Sequence, residues 1–231
     1  MTYKKHTTLI VSFLALLTGF FSLQGQNTTL ANLLGDYIPE DNPKKIEQRR
    51  SVGSGSRSTC TSSLDVDSIS LLVPNAEVVH QTASSRPNFY LFSNASYSSP
   101  LLFTLVDPES AKTIFKKDFQ IGYGFKDITL PESISLKSGK VYLWYVAIPC
   151  ENNPEQHYEV LSAAVEKVAL PKKAEYLSTQ SSDNREIATI YASNGIWYDA
   201  LSYAMKEPSS YLEQLLLSAG ITNFSLSDAK N

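Results

Sequence analysis

Histidine, cysteine and carboxylate side chains would build a catalytic or metal site, and this sequence offers few at a useful spacing. Beyond residue 25 the histidines are His80 and His157, and neither has a metal ligand at the spacing of a zinc site. No nucleophile elbow, phosphate-binding loop or dinucleotide fingerprint occurs. We therefore predict a non-enzymatic protein with no metal site and no cofactor.

Two short acidic pairs are the remaining candidates for chemistry. Asp65 and Asp67 form one pair, and Glu40 and Asp41 form the other. They could help to hold calcium, but neither lies in a glycine-turned loop of the kind that wraps this ion. Carboxylates that are far apart in sequence could still meet in a glycosidase site, so a hydrolase with dispersed carboxylates stays an alternative.

Aromatic residues are dense between residues 89 and 158 and offer a second kind of site. Tyrosine and tryptophan combine a rigid apolar ring with a polar tip, which suits carbohydrate and protein recognition. Tyr97 and Tyr123 fall in predicted turns and are the candidate binding contacts. Tyr142 and Trp144 fall in a predicted strand, where we expect them to be core residues.

The first 25 residues have the order of a secretory signal peptide. Lys4 and Lys5 precede the uncharged apolar run Leu9–Leu23, and polar residues follow it. An uncleaved membrane anchor is the alternative, although a stable span usually needs about 20 apolar residues. We predict a secreted or periplasmic protein with no membrane span after cleavage.

Export changes the interpretation of Cys60 and Cys150. In an oxidising compartment a lone pair of cysteines usually forms a disulfide bond, whereas two buried thiols are the alternative. A bridge between them would close a loop of roughly 90 residues and could stabilise the fold by about 4–5 kcal/mol.

The charge of the chain gives no reason to expect nucleic-acid binding. Without Lys4 and Lys5, 20 − 2 = 18 basic residues remain against 23 acidic ones, a net charge of −5. The polar, serine- and glycine-rich segment 26–59 is predicted to be a flexible linker. This segment contains a basic cluster, for which a membrane- or glycan-binding role is the alternative to a solvated linker, the interpretation that we prefer. The cluster consists of Lys44, Lys45, Arg49, Arg50 and Arg57.

Between residues 60 and 170, short apolar runs alternate with turn residues every 8–12 positions. This pattern is typical of an antiparallel β-sandwich, and we predict an immunoglobulin-like one. The predicted strands are Ile69–Val73, Val78–Gln81, Asn88–Phe92, Leu101–Val106, Thr113–Phe119, Phe125–Leu130, Val141–Ile148 and Tyr158–Ala169.

The segment Leu136–Cys150 is predicted to hold the central strand. Leu136, Gly139 and Tyr142 resemble the turn into the penultimate strand of such sandwiches, where the tyrosine hydroxyl bonds back to a nearby loop. Both faces of the strand are apolar, so we expect the C-terminal helices to cover the face opposite Trp144.

Helical patterns appear only near the C-terminus. Residues 171–183 are predicted to be a loop, and 184–220 a helical hairpin plus a closing helix, with helices over 184–193, 196–206 and 209–219 and a tail over 221–231. Gly195 and Trp197 match the spacing of a tetratricopeptide-like (TPR-like) hairpin and are predicted core residues; a generic hairpin is the alternative.

Six segments together resemble the domain of unknown function 928 family, a group of exported proteins found mainly in cyanobacteria. The segments are S-R-S-T-C (56–60), I-S-L-L-V-P (69–74), R-P-N-F-Y-L-F (86–92), L-L-F-T-L-V-D (101–107), L-K-S-G-K-V-Y-L-W-Y-V-A-I-P-C (136–150) and N-G-I-W-Y-D-A-L (194–201). The resemblance implies secretion and a β domain followed by helices. It implies no activity and no catalytic residues.

These observations predict a secreted, non-enzymatic binding or interaction module of the cell envelope. Its partner would be an envelope protein or a cell-wall glycan. The alternatives are a glycan- or small-ligand-binding protein that uses loop aromatics, and the hydrolase described above.

Overall fold

The computed structural model of the protein describes residues 36–41, 43–46, 68–149 and 158–225. The predicted signal peptide, most of the predicted linker, and Cys60 and Cys150 lie outside these ranges. The signal, the acidic pair at Asp65 and Asp67, and the disulfide therefore stay predictions.

Strands fill the middle of the chain, where short apolar runs separated by turn residues predicted them. The bounds are β1 (Ile69–Leu71), β2 (Val79–Thr82), β3 (Asn88–Ser93), β4 (Leu101–Asp107), β5 (Lys112–Phe119), β6 (Gly124–Thr129), β7 (Val141–Pro149) and β8 (Tyr158–Lys167). Every strand that the sequence predicted is present.

The strands form two sheets, which confirms a mainly β fold. One sheet has the order β1–β3–β6 and the other the order β2–β8–β7–β4–β5. The pairs are antiparallel except that β2 runs parallel to β8, with Val79 opposite Ala164. The expectation of entirely antiparallel pairing is wrong here, because β2 and β8 are distant in sequence and no hairpin fixes their relative direction.

Four helices follow the sheets: α1 (Lys172–Gln180), α2 (Asn184–Ala192), α3 (Trp197–Ala204) and α4 (Ser209–Ser218). The sequence predicted the last three. It predicted a loop where α1 lies, and this was wrong. The segment contains good helix formers and follows Pro171, but only Ala174 is buried, so no apolar stripe marked it as a helix.

Side chains from both sheets and from α3 meet in one core. The Phe89 ring of β3 lies 5.1 Å from Phe103 of β4 and 5.2 Å from Trp144 of β7, between ring centroids. The same Phe89 ring lies 5.7 Å from Tyr198 of α3. Aromatic rings at these separations contribute beyond the area they bury, and here they join three layers of structure.

Helix α3 packs on the Trp144 face of β7 and not on the opposite face. Trp144 Nε1 donates a hydrogen bond of 2.8 Å to the Tyr198 hydroxyl. On the other face, Leu143 and Tyr145 remain half-buried. The expectation that the helices cover that second face is therefore wrong for α3.

Residues 36–41 and 43–46, which we call the N-terminal strap, pack against this domain. Tyr37 is buried, with its ring 5.0 Å from that of Trp197. Further along, Val79 N–H donates to the Lys44 carbonyl at 2.8 Å, and Lys44 Nζ lies 2.6 Å from Glu166. These residues fall inside the segment predicted to be a flexible linker, and that prediction is corrected for them.

Candidate functional site

A polar cleft lies between the loop that joins β2 to β3 and the pair of helices α2 and α3. We call it the loop–helix cleft. Its volume is about 340 Å³, which is within the range of small-molecule sites. Its lining residues are Ala83, Ser84, Arg86, Pro87, Asn88, Tyr191, Tyr198, Asp199, Ser202, Tyr203 and Lys206.

The loop wall of the cleft is fixed by hydrogen bonds between side chains and the nearby backbone. Ser84 N–H donates to Thr82 Oγ1 at 3.1 Å, and Arg86 N–H donates to Ser84 Oγ at 3.0 Å. Such local bonds stabilise tight turns. Leu136 N–H also donates to the Ser85 carbonyl at 2.8 Å, so the loop is held from a second side. The loop presents an exposed Arg86 at the rim.

Asp199 joins the loop wall to the helix wall. Its Oδ2 accepts hydrogen bonds from the Thr82 hydroxyl at 2.6 Å and from Ala83 N–H at 2.9 Å. The side chain belongs to the first turn of α3 and is largely buried. Burial raises the pKa of this carboxyl, and the hydrogen bond from Thr82 opposes that effect. Asp199 therefore forms the polar floor of the cleft.

The helix wall carries an aromatic pair and a cation. The rings of Tyr191 and Tyr203 are stacked, with centroids 5.7 Å apart and planes at 14°. Lys206 Nζ lies 4.5 Å from the centroid of the Tyr203 ring, within the range of a cation–π interaction. Burial raises the pKa of Tyr191, and the nearby Asp199 acts in the same direction. Tyr191 therefore stays neutral, while Lys206 brings a positive charge to the rim.

Uncharged polar side chains also line the cleft. The Asn88 amide oxygen accepts a hydrogen bond from Thr129 Oγ1 at 2.9 Å, and Ser202 Oγ donates to the Tyr198 carbonyl at 2.8 Å. These contacts position an amide and a hydroxyl in the cleft lining. The lining thus combines hydrogen-bonding groups with two cations, which suits binding of a small polar molecule.

A second depression, of about 420 Å³, is shallower and more open to solvent. It lies beside the strap and α4 and is lined by Asp36, Ser210, Glu213, Gln214, Leu217 and Ser218. Its charged lining residues are acidic, and they do not converge on an enclosed space. The loop–helix cleft is the better candidate because its polar groups come from separate elements and face one space.

The predicted binding tyrosines are not in this cleft. Tyr97 is only 6% exposed, and its hydroxyl hydrogen-bonds with Ser68 Oγ. It is therefore a core residue and not the exposed contact that its turn position suggested. Tyr123 is 45% exposed and meets Phe92 edge-on, with ring centroids 6.4 Å apart. The structure places Tyr123 apart from the cleft lining.

Five of the six predicted structural core residues are buried: Leu136, Tyr142, Trp144, Gly195 and Trp197. The prediction is wrong for Gly139, which is exposed because it lies in the turn before β7. Lys137 N–H donates to the Tyr142 hydroxyl at 3.1 Å, which is the backward bond expected of this turn. Gly139 and Gly195 both have a φ of +74°, a conformation that favours glycine.

Comparison with family models decides the family. A model described as Domain of Unknown Function (DUF928) matches residues 52–226, which is well over half of the chain. The chain belongs to the DUF928 family. This confirms the resemblance that the six sequence segments indicated.

The search of curated proteins gave no match for this DUF928 protein. Three structural findings hold for the described ranges only. No helix there is long and apolar enough to cross a membrane. Nor do three or more histidine, cysteine or acidic side chains cluster there as metal ligands would. Of the described residues that line the loop–helix cleft, only Asp199 is acidic.

Sequence reasoning missed the residues that form the cleft. Arg86 and Pro87 were identified only as part of the segment 86–92 that resembles the family, and Tyr203 and Lys206 only as part of a predicted helix. One signal was available. Asp199 interrupts an otherwise apolar helix face, and a carboxylate in that position needs hydrogen-bond partners to be buried.

Proposed function

We propose that this DUF928 protein is a secreted, non-enzymatic binding module of the cell envelope, with the loop–helix cleft as its ligand site. The observation that carries the proposal is the convergence of Arg86, Asn88, Ser202 and Lys206 on one cleft. These side chains come from the β2–β3 loop, from the first residue of β3, and from α3 with the turn that follows it, and both walls are joined to the core.

A binding role is favoured over hydrolysis because the cleft carboxylate already has a structural role. Asp199 Oδ2 holds the β2–β3 loop through Thr82 and Ala83, at 2.6 and 2.9 Å. A glycosidase of the usual kind needs two carboxylates, one on each side of the bond that is cleaved. Asp199 shares its cleft with two cations instead.

The location in the envelope is proposed from the N-terminal sequence. Lys4 and Lys5 followed by the apolar run Leu9–Leu23 support export. Export in turn supports a disulfide bond between Cys60 and Cys150.

The finer fold assignment is also our proposal. The bond from Lys137 N–H to the Tyr142 hydroxyl supports an immunoglobulin-like arrangement of the two sheets. In the helices, fully buried alanines support a TPR-like hairpin of α2 and α3, because small side chains let the two helices approach closely. These alanines are Ala188, Ala192, Ala200 and Ala204.

The binding function is tested by blocking the cleft. The mature protein is screened by thermal shift against a panel of envelope monosaccharides, oligosaccharides and small metabolites, beside the variant Ser202→Tyr. We expect at least one compound to raise the Tm of the wild type and not that of the variant, since the larger side chain fills the site.

Two controls make the outcome decisive. Lys116→Gln, an exposed change on β5, should respond as the wild type does. Each stabilising compound is recovered and analysed by mass spectrometry. Conversion of a compound to a product would show that the protein is an enzyme and not only a binding module. An equal rise of the Tm in Ser202→Tyr would show that the compound binds outside the cleft.

A further inference from the structure

Resting on the binding function proposed above, we infer that the ligand of the loop–helix cleft is an anionic saccharide, a sugar that carries a carboxylate or sulfate group. The inference depends on the two cations at the rim and on the hydrogen-bonding groups that line the same cleft.

Arg86 is the first of these cations. It lies at the exposed turn of the β2–β3 loop and makes no ion pair with any residue that the structure describes. An arginine side chain presents a planar fork of donors that matches the two oxygens of a carboxylate or sulfate group. Held at the rim by a fixed loop, Arg86 is positioned to bind such a group on a ligand.

Lys206 supplies positive charge from the helix wall. Its Nζ lies 4.5 Å from the centroid of the Tyr203 ring, and that ring is in turn stacked on Tyr191. The two contacts keep the ammonium group beside the cleft, where a free lysine would sample many conformations. Arg86 and Lys206 therefore border one space from opposite walls.

Groups that recognise hydroxyls line the same cleft as the two cations. Asn88 and Ser202 offer an amide and a hydroxyl, and both have partners on the protein that fix their orientation. Ser84 adds a second hydroxyl to the lining. Sugar hydroxyls both donate and accept hydrogen bonds, as these side chains do. A simple inorganic anion would use the cations and leave these groups in contact with water.

The charge of the whole protein sharpens the argument. The full sequence has a formal net charge of −3, so a general attraction for anions is not expected. The cleft departs from that background, with two cations against the single buried carboxyl of Asp199 among its described lining residues. Selectivity for an anionic group would therefore be a local property of this site.

The test is isothermal titration calorimetry of the mature protein with four probes. Trigalacturonate and galactose 6-sulfate are anionic saccharides, galactotriose is a neutral one, and sodium sulfate is the anion alone. We expect one or both anionic saccharides to bind more tightly than galactotriose and sodium sulfate. The affinity should fall as salt is added, because the rim charges are exposed.

Three variants and a control locate the binding. Arg86→Gln and Lys206→Gln should each lower the affinity for the anionic saccharide by about tenfold or more, since each removes a charge-assisted contact. Asn88→Ala should weaken it by a smaller factor. Lys116→Gln removes a charge of the same sign on β5 and should leave the affinity unchanged. Circular dichroism confirms that each variant is folded.

The outcomes separate this inference from the function on which it rests. Equal affinity for galactotriose, still weakened by Asn88→Ala, would overturn the anionic ligand and keep the cleft as a binding site. Sodium sulfate bound as tightly as the sugars would overturn the saccharide. Saccharide binding that no cleft variant changes would overturn both. If none of the four probes binds, the ligand class is wrong, and the Ser202→Tyr screen decides the function independently.

Discussion

The hydroxyl group of Tyr198 connects three elements through two buried hydrogen bonds. It accepts from Trp144 Nε1 at 2.8 Å and donates to the Ala164 carbonyl at 3.0 Å. Complete burial raises the pKa of Tyr198 well above its ordinary range, so the group stays a neutral donor. One side chain of α3 thus satisfies a polar group on β7 and another on β8.

Tyr198→Phe tests the contribution of this hydroxyl. The change leaves the Trp144 indole N–H buried without its partner and removes one hydrogen bond to the Ala164 carbonyl, so we expect the free energy of unfolding to fall by about 1–3 kcal/mol. Urea denaturation of the mature protein measures the difference. The matched control is Tyr176→Phe on α1, where the side chain is 64% exposed and the loss should be below about 0.5 kcal/mol. Equal effects would show that the buried bonds contribute nothing specific.

His80 is the buried titratable group beneath the N-terminal strap. Its Nε2 lies 2.8 Å from the Asn75 carbonyl oxygen and 3.2 Å from the Asn75 backbone nitrogen. Its Nδ1 lies 3.4 Å from the Tyr37 hydroxyl. Burial lowers the pKa of His80 and raises the pKa of Tyr37 to about 12, so both groups are neutral in the folded protein.

This burial predicts a loss of stability in acid. The unfolded chain binds a proton on His80 as the pH falls below about 6.5, whereas the folded protein resists doing so, and unfolding is therefore favoured. We expect the free energy of unfolding to fall between pH 7.5 and pH 5 by more in the wild type than in His80→Gln. Denaturation curves at both pH values measure the two changes. Identical changes would mean that His80 does not titrate differently on folding.

At the scale of elements, the turn between α2 and α3 depends on Gly195. Its φ of +74° is one that other residues adopt at a cost. A Cβ at this position would also lie 3.4 Å from the Ile38 carbonyl oxygen of the strap. The same residue thus ends α2 and leaves room for the strap to cross.

Gly195→Ala should lower the free energy of unfolding by about 1–2 kcal/mol through its backbone conformation, with a further loss if the strap is displaced. Gly122→Ala is the matched control. An added Cβ there would lie 3.8 Å from Ser96 Oγ, an ordinary contact, and Gly122 is not among the glycines of positive φ. Hydrogen exchange at Ile38, which donates to the Ala192 carbonyl at 3.1 Å, reports whether the strap loosens. A neutral Gly195→Ala would contradict this account of the turn.

For the whole molecule, the largest untested constraint is the predicted bridge between Cys60 and Cys150. Mass spectrometry of the unreduced mature protein should find the two residues linked. Replacing both with serine should lower the free energy of unfolding by up to about 4–5 kcal/mol, because the closed loop of roughly 90 residues restricts the unfolded chain. Free thiols at both positions would show that the predicted disulfide bond does not form.

Much of the fold could be predicted from local pattern. Short apolar runs bounded by turn residues marked β4 and β7 as strands, and in both strands buried residues alternate with half-buried ones. Gly139 and Gly195 marked turns because few other residues adopt their backbone angles. Helix α1 was missed because it buries only Ala174 and so shows no apolar stripe.

The loop–helix cleft could not be predicted in the same way. Its floor depends on the bond between Thr82 and Asp199, which are 117 positions apart in the chain. No local pattern of charge or hydrophobicity pairs two such residues. The turn tyrosines suggested a site instead, and the burial of Tyr97 shows that a turn position does not ensure exposure.

The sequence by itself determined the strands, three of the four helices, the burial of Tyr142, Trp144 and Trp197, and the DUF928 family, because these follow from periodicity and from segments read in order. Only the tertiary structure decided the parallel pairing of β2 with β8, the docking of α3 on the Trp144 face, the burial of the strap through Tyr37 and the convergence of Arg86 and Lys206 on one cleft. Each of these depends on contacts between distant parts of the chain, which form only when the whole core is packed.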